Sequence, residues 1–282
     1  MASPPVQSDS AAHQEATSCP NCGKELQGKY CHDCGEKKVH GHDLTLKHFL
    51  QHALHEFTHL DSKVFATVRY LFTRPGFLSQ EFVAGRRLRY MKPLSLFLIA
   101  SAVFLVVGSF VMLSGFDVRQ LSKADKKGQL DAAWEKIAAK KHLPKEVIVD
   151  RVQETMHKVT TALQLADVLA MAGLLALLFR GRYFVEHLVF SLHYFSFTYL
   201  AAVLAAPLYA IVTPFTWQSF TLSVCSTLVF FTYLTIGLRR FYGHSAAATV
   251  VKAIVTYTIT QAVIISTLIV AFVVAVVRAA KS

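Results

Sequence analysis

Charge is what this chain mostly lacks where it is apolar. From Pro93 to Ser114 there is no charged residue at all, which rules out an ordinary solvated surface helix there. About 20 apolar residues at 1.5 Å each are enough to cross a hydrocarbon core. Cysteine is also scarce: of five, four sit within Cys19–Cys34, and Cys225 stands alone in an apolar run. A disulfide framework is therefore not expected, and Cys225 reads as a small buried hydrophobe. Residues 1–18 hold Pro, Ser, Gln and Ala but no apolar signal-peptide core, so entry into a membrane is expected through internal spans. The same residues show no periodicity and read as disordered.

What is present is hydrophobicity and positive charge. Hydrophobic residues make up 53% of 282, and 29 Lys and Arg against 18 Asp and Glu leave a net charge of +11. Much of that charge borders the apolar runs. Arg86, Arg87, Arg89 and Lys92 stand directly before Pro93, and Arg180, Arg182, Arg239 and Arg240 lie in short loops. This is a topology signal with affinity for anionic lipid head groups near Arg86, Arg87, Arg89 and Lys92, in preference to a nucleic-acid surface. Further apolar runs cover about 163–179, 185–212, 217–238 and 249–277. With 93–114 they predict an all-α, polytopic protein of about five spans, N-terminus cytoplasmic. The charged segment 115–162 and the tail 278–282 then fall outside, where Arg278 and Lys281 fit the positive-inside pattern least well. Within 115–162, helices are expected over 132–141 and 145–161, with Pro144 suited to opening the second.

The most specific motif is CPNCGKELQGKYCHDCG at 19–35. Two CxxC pairs, each followed by Gly, can form two knuckles whose thiolates face one another. Cys19, Cys22, Cys31 and Cys34 then make a closed four-sulfur site for a structural metal, read as zinc, with iron as the other fit. His32 lies inside the second knuckle and is not needed as a ligand. Closure of the site argues for a small zinc ribbon with a structural role and against zinc catalysis.

Residues 43–92 are expected to form cytoplasmic amphipathic helices. From Asp43 to Leu60, Leu46, Phe49, Leu50, Ala53, Leu54, Phe57 and Leu60 form an apolar face, opposite a stripe of His48, His52, His55 and His59. His40 and His42 lie just ahead. The stripe is either a solvated polar face or a second metal or proton site, since imidazoles four apart can chelate one ion. His55-Glu56-Phe57-Thr58-His59 also matches HExxH, the zincin pattern of two ligands and a general base, but no third ligand follows at a standard spacing. Further helices are expected at 62–73 and 77–84, divided by Pro75-Gly76 and ended by Gly85. They should pack on each other and on the cytoplasmic ends of the spans.

The order CPNCG, YCHDCGEK, a His-rich helix, TVRYLFTRPG, EFVAGRRLRYMKP and an apolar span resembles a family of bacterial membrane proteins catalogued as a domain of unknown function. The resemblance covers about residues 19–105. It implies a bacterial inner-membrane protein with a cytoplasmic zinc-ribbon-like head, and it brings no catalytic residues with it.

Ionisable groups inside spans are costly and therefore candidates for function. Asp167 lies early in the second span, and Glu186 and His187 begin the third beside Arg182, as an interfacial ion pair would. His193, near Tyr194 and Tyr199, is either a helix-to-helix hydrogen bond or a proton or ligand site. Tyr257, Thr258, Thr260 and Gln261 in the fifth span can serve packing, and Pro207 can kink the third. No matched pair of broken helices marks a transporter repeat. The leading expectation is a non-enzymatic scaffold whose zinc head docks a partner at the membrane. A channel or transporter gated by that head, with His193 and Asp167 on its path, is the alternative. A metalloprotease using His55, Glu56 and His59 is the less favoured third.

Overall fold

The computed structural model describes residues 18–35 (apart from 20, 26, 27 and 29), 63–111, 118, 125, 128–212 and 216–281, with side chains throughout except at 109–111 and 210. The His stripe and the HExxH match lie outside the described residues. Among the described residues eight helices follow the head: α1 Lys63–Thr73, α2 Phe77–Val83, α3 Pro93–Val111, α4 Gln129–Lys141, α5 Lys145–Leu178, α6 Phe184–Ile211, α7 Trp217–Tyr242 and α8 Ala246–Lys281. Among the described residues there is no strand, so the fold is all-α, as composition and periodicity lead one to expect.

α5, α6, α7 and α8 are long and apolar enough to cross a membrane. α3 is shorter, with its apolar stretch over Pro93–Gly108. Pro93 opens α3 at the position where a missing N–H costs nothing. The stretches read separately as 145–161 and 163–179 are one 34-residue helix, α5. No Pro interrupts it, and its length of about 51 Å exceeds a hydrocarbon core of about 30 Å. The helix is thus longer than a single span requires, and its N-terminal third holds most of its charged residues. Pro207 lies inside α6, and the helix continues through it to Ile211.

α6 is the organising element. Every residue from Val185 to Phe197 is buried, and α1, α2, α3, α5 and α7 all pack on this helix. Leu71, Leu78, Phe97, Leu175, Val189, Phe190, Leu234 and Leu238 belong to the resulting core. Tyr233 of α7 stacks on Phe197 with ring centroids 3.5 Å apart, and Phe72 of α1 meets the same ring edge-on. Ser191 and Ser196 satisfy their hydroxyls on the carbonyls of His187 and Leu192, so they cost little here.

α1 and α2 form a hairpin laid against α6 and α7. At its turn, Gly76 has φ 77° and abuts Gly237 of α7. A Cβ at Gly76 would stand 2.6 Å from the Gly237 carbonyl oxygen, so only glycine fits. The hairpin is further tied by Tyr233 Oη donating to the Leu71 carbonyl at 2.8 Å, by Gln80 Nε2 donating to the Arg240 carbonyl at 2.6 Å, and by Arg240 Nη1 donating to the Pro75 carbonyl at 2.9 Å.

A second core lies at the other end of the long helices. Trp134 and Ala138 of α4, Ile148, Val149, Val152 and Met156 of α5, Ala275 and Ala279 of α8, and Val118 pack together. α4 thus lies across the N-terminal part of α5 and the C-terminal end of α8.

Candidate functional site

The head is built from two tight turns. Gly23 and Gly35, at φ 79° and 73°, let the chain reverse after each CxxC. Their amides return to the carbonyls of Cys19 and Cys31 at 2.8 and 2.9 Å. Ser18 and Glu25 pair across the first turn. Lys24 Nζ reaches Asp33 at 2.6 Å and links the two turns electrostatically. That pairing holds the Lys24 ammonium above its ordinary range and the Asp33 carboxyl below its own.

The four sulfurs converge. Cys19 Sγ lies 3.5 Å from Cys34 Sγ, and Cys22 Sγ lies 3.5 Å from Cys31 Sγ. All four fall within 4.8 Å of one another. A disulfide needs about 2.05 Å, and the thiols are free. Tetrahedral metal–sulfur bonds of about 2.3 Å require sulfurs about 3.8 Å apart, which this set meets with small adjustments. Cys19 and Cys31 are buried, and Cys22 is exposed. The thiol of Cys22 feels opposing influences. The Lys24 backbone N–H lowers its pKa, but desolvation and the three neighbouring thiols push it up to about 12. Crowded in this way, the Cys22 thiol resists ionisation until a cation joins it. The residues therefore fit one metal ion held by Cys19, Cys22, Cys31 and Cys34. His32 is exposed and outside that set.

The polar groups of the bundle are organised differently. His193 Nδ1 shares a hydrogen bond of 2.9 Å with Ser79 Oγ of α2, fully inside the protein. Asp167 accepts from Thr267 of α8 at 2.8 Å. The two residues are thus engaged by different helices, His193 by α2 and Asp167 by α8. The cavity beside His193, lined by Leu78, Phe82, Arg86 and Tyr90 among others, measures about 10 Å³, room for one water at most. Arg182 donates to Glu186 at 2.7 Å and to the Phe241 carbonyl at 3.1 Å, so the expected pair is present, with a third partner on α7. His187 Nδ1 lies 2.6 Å from Tyr242 Oη. Thr260 is buried on α8 among its small inward-facing residues.

The arginines before α3 are also used internally. Arg86 forks onto the Glu81 carboxylate, with Nε at 2.8 Å from Oε2. Arg87 Nε donates to the Phe82 carbonyl at 3.1 Å, and its guanidinium covers the Phe82 ring. Sequence periodicity did not identify Ser79, Glu81, Tyr233 or Thr267 as partners. Only Glu81, a carboxylate five residues before Arg86, carried a local signal.

A family model described as a protein of unknown function (DUF3667) matches residues 61–105. The matched stretch contains the α1–α2 hairpin, the arginines that follow it and most of α3. No curated protein and no solved structure matches the chain. What the molecule presents is thus a membrane-helix-rich protein, similar over that hairpin to a family of unknown function, with four cysteines gathered as a metal site at its N-terminal end.

Proposed function

We propose that the chain is a multi-pass inner-membrane scaffold whose zinc-ribbon head docks a partner on the cytoplasmic side. The convergence of Cys19, Cys22, Cys31 and Cys34 carries this reading. A closed four-thiolate site builds a rigid small surface and leaves no coordination position for substrate. Tyr30, beside Cys31, is 61% exposed, and an exposed aromatic on a rigid turn is a common anchor for a partner. His193 and Asp167, each engaged on its own neighbouring helix, support a structural bundle over a conduction path.

Orientation follows from the loops. Arg180 and Arg182 on one side, and Arg239 and Arg240 on the same side, favour a cytoplasmic N-terminus. Arg89 and Lys92 are then placed to meet anionic lipid head groups on that face.

The test joins metal analysis to crosslinking. Purified chain is expected to carry one zinc, absent from Cys31→Ser/Cys34→Ser. A photo-crosslinker at Glu25 in cells should join the head to one defined protein. That product should disappear with Tyr30→Ala while membrane insertion is unchanged. Ion or proton flux in proteoliposomes that Asp167→Asn abolishes would overturn the scaffold reading in favour of the gated channel.

A further inference from the structure

α8 carries Lys252 near its start and Arg278 near its end, with no charged residue between them. At 1.5 Å per residue the two lie about 39 Å apart along the helix. A hydrocarbon core is about 30 Å thick and about 40–45 Å with its headgroup layers. If Lys252 lies in one headgroup layer, Arg278 lies in the other. α5 runs antiparallel alongside, joined near its middle by Asp167 and Thr267. That arrangement brings Arg151, Glu154 and Thr155 of α5 beside Arg278, Ala279 and Lys281 of α8.

These six residues line an open groove of about 480 Å³. Among the described residues its lining sets Arg151, Arg278 and Lys281 beside Glu154, which pairs with Lys158 at 2.7 Å. Lys141 of α4 adds a further ammonium, donating to the Lys281 carbonyl at 3.0 Å. Two guanidiniums and an ammonium around one groove suit the oxygens of a phosphate, which arginine binds in a fork. Thr155 offers a hydroxyl on the same wall. The position also accounts for the charges that fit the positive-inside pattern least well. Arg278 and Lys281 lie at the end remote from the arginine-bearing short loops, where topology alone gives no reason for them.

We propose that this groove binds the phosphate of an anionic phospholipid headgroup, in the leaflet opposite the metal head. The site rests on α8 being a membrane span, and it is independent of the docking role of the head.

Native mass spectrometry of the full chain in mild detergent tests it, with phosphatidylglycerol and phosphatidylcholine supplied in equal amounts. Wild type is expected to retain phosphatidylglycerol, and Arg151→Gln/Arg278→Gln/Lys281→Gln to hold it about tenfold less. Lys63→Gln/Arg69→Gln/Lys136→Gln removes the same charge elsewhere and should retain the lipid as wild type does. Equal loss in both triple variants, or no loss in the first, overturns the site. Displacement of the lipid by excess inorganic phosphate, with phosphate retained in its place, would assign the groove to a free anion and overturn the lipid source. Carbonate extraction of the same membranes reports separately on whether the chain is embedded, so failure of the span and failure of the groove are distinguished.

Discussion

Gly76 and Gly237 meet backbone to backbone, yet the two glycines are not equally demanding. Gly76 has φ 77° and a carbonyl oxygen 2.6 Å from where a Cβ would stand. A Cβ at Gly237 would meet the Phe190 ring at 3.2 Å, a side chain that can shift. Gly76→Ala is therefore expected to cost about 2–4 kcal/mol through backbone strain and overpacking. Gly237→Ala should cost about 1 kcal/mol. Thermal unfolding in detergent would rank them, and equal losses would show that the hairpin moves aside. Ser79→Ala removes the partner of His193 Nδ1 and should cost about 1–3 kcal/mol. At this scale the sequence was legible where chemistry is local. The CxxC-Gly spacing foretold converging sulfurs, and Pro75-Gly76 foretold a turn. Ser79 carried no signal, because its partner lies 114 residues away.

Whole elements respond to pH in the head and to packing in the long helices. Without metal, the Cys22 thiol is raised from its ordinary 9.0 to about 12, with the Lys24 N–H opposing and desolvation and neighbouring thiols prevailing. A group raised on folding stabilises the fold below its unfolded pKa and loses that contribution as pH rises through the folded value. The metal-free head should thus loosen between about pH 9 and 12. The loaded head responds in the opposite sense, because binding displaces protons and acid releases the metal. Hydrogen exchange over residues 18–35 follows the first change, and the charge-transfer absorption of a cobalt-substituted chain follows the second. A common direction for both would contradict the four-thiolate site. Along α8, Ala271, Ala275 and Ala279 recur every fourth residue and are buried, which lets α5 approach closely. Ala275→Leu should destabilise by about 1–3 kcal/mol and expose the 128–145 region to protease first. Helix type and most boundaries could be read from hydropathy. The unbroken passage of α5 through residue 162 could not, since a charged stretch and an apolar stretch joined without Gly or Pro look like two elements.

For the molecule as a whole, the two cores assign the ends of the chain to sides. Val118, Trp134 and Ala279 pack together, so α4 and the end of α8 share one face. Lys140→Cys and Lys281→Cys, placed singly in a chain with Cys225→Ser, are expected to react alike with a membrane-impermeant maleimide in spheroplasts. A cysteine at Arg180 should react only after lysis. Opposite behaviour of Lys140 and Lys281 would break the shared core. The span pattern was legible because hydropathy is additive along the chain. The hairpin's seat on α6 and α7 was expected only in outline, because which faces meet depends on packing that no local window contains.

The burial of α6 from Val185 to Phe197 also bears on how the protein is made. Tyr233 and Leu71 are bonded across 162 residues, Gln80 and Arg240 across 160. A growing chain that has produced α1, α2 and α3 holds the hairpin with nothing to lean on until α6 and α7 emerge. That early hairpin is consequently among the last parts to reach its final position, and α6 is the event it waits for.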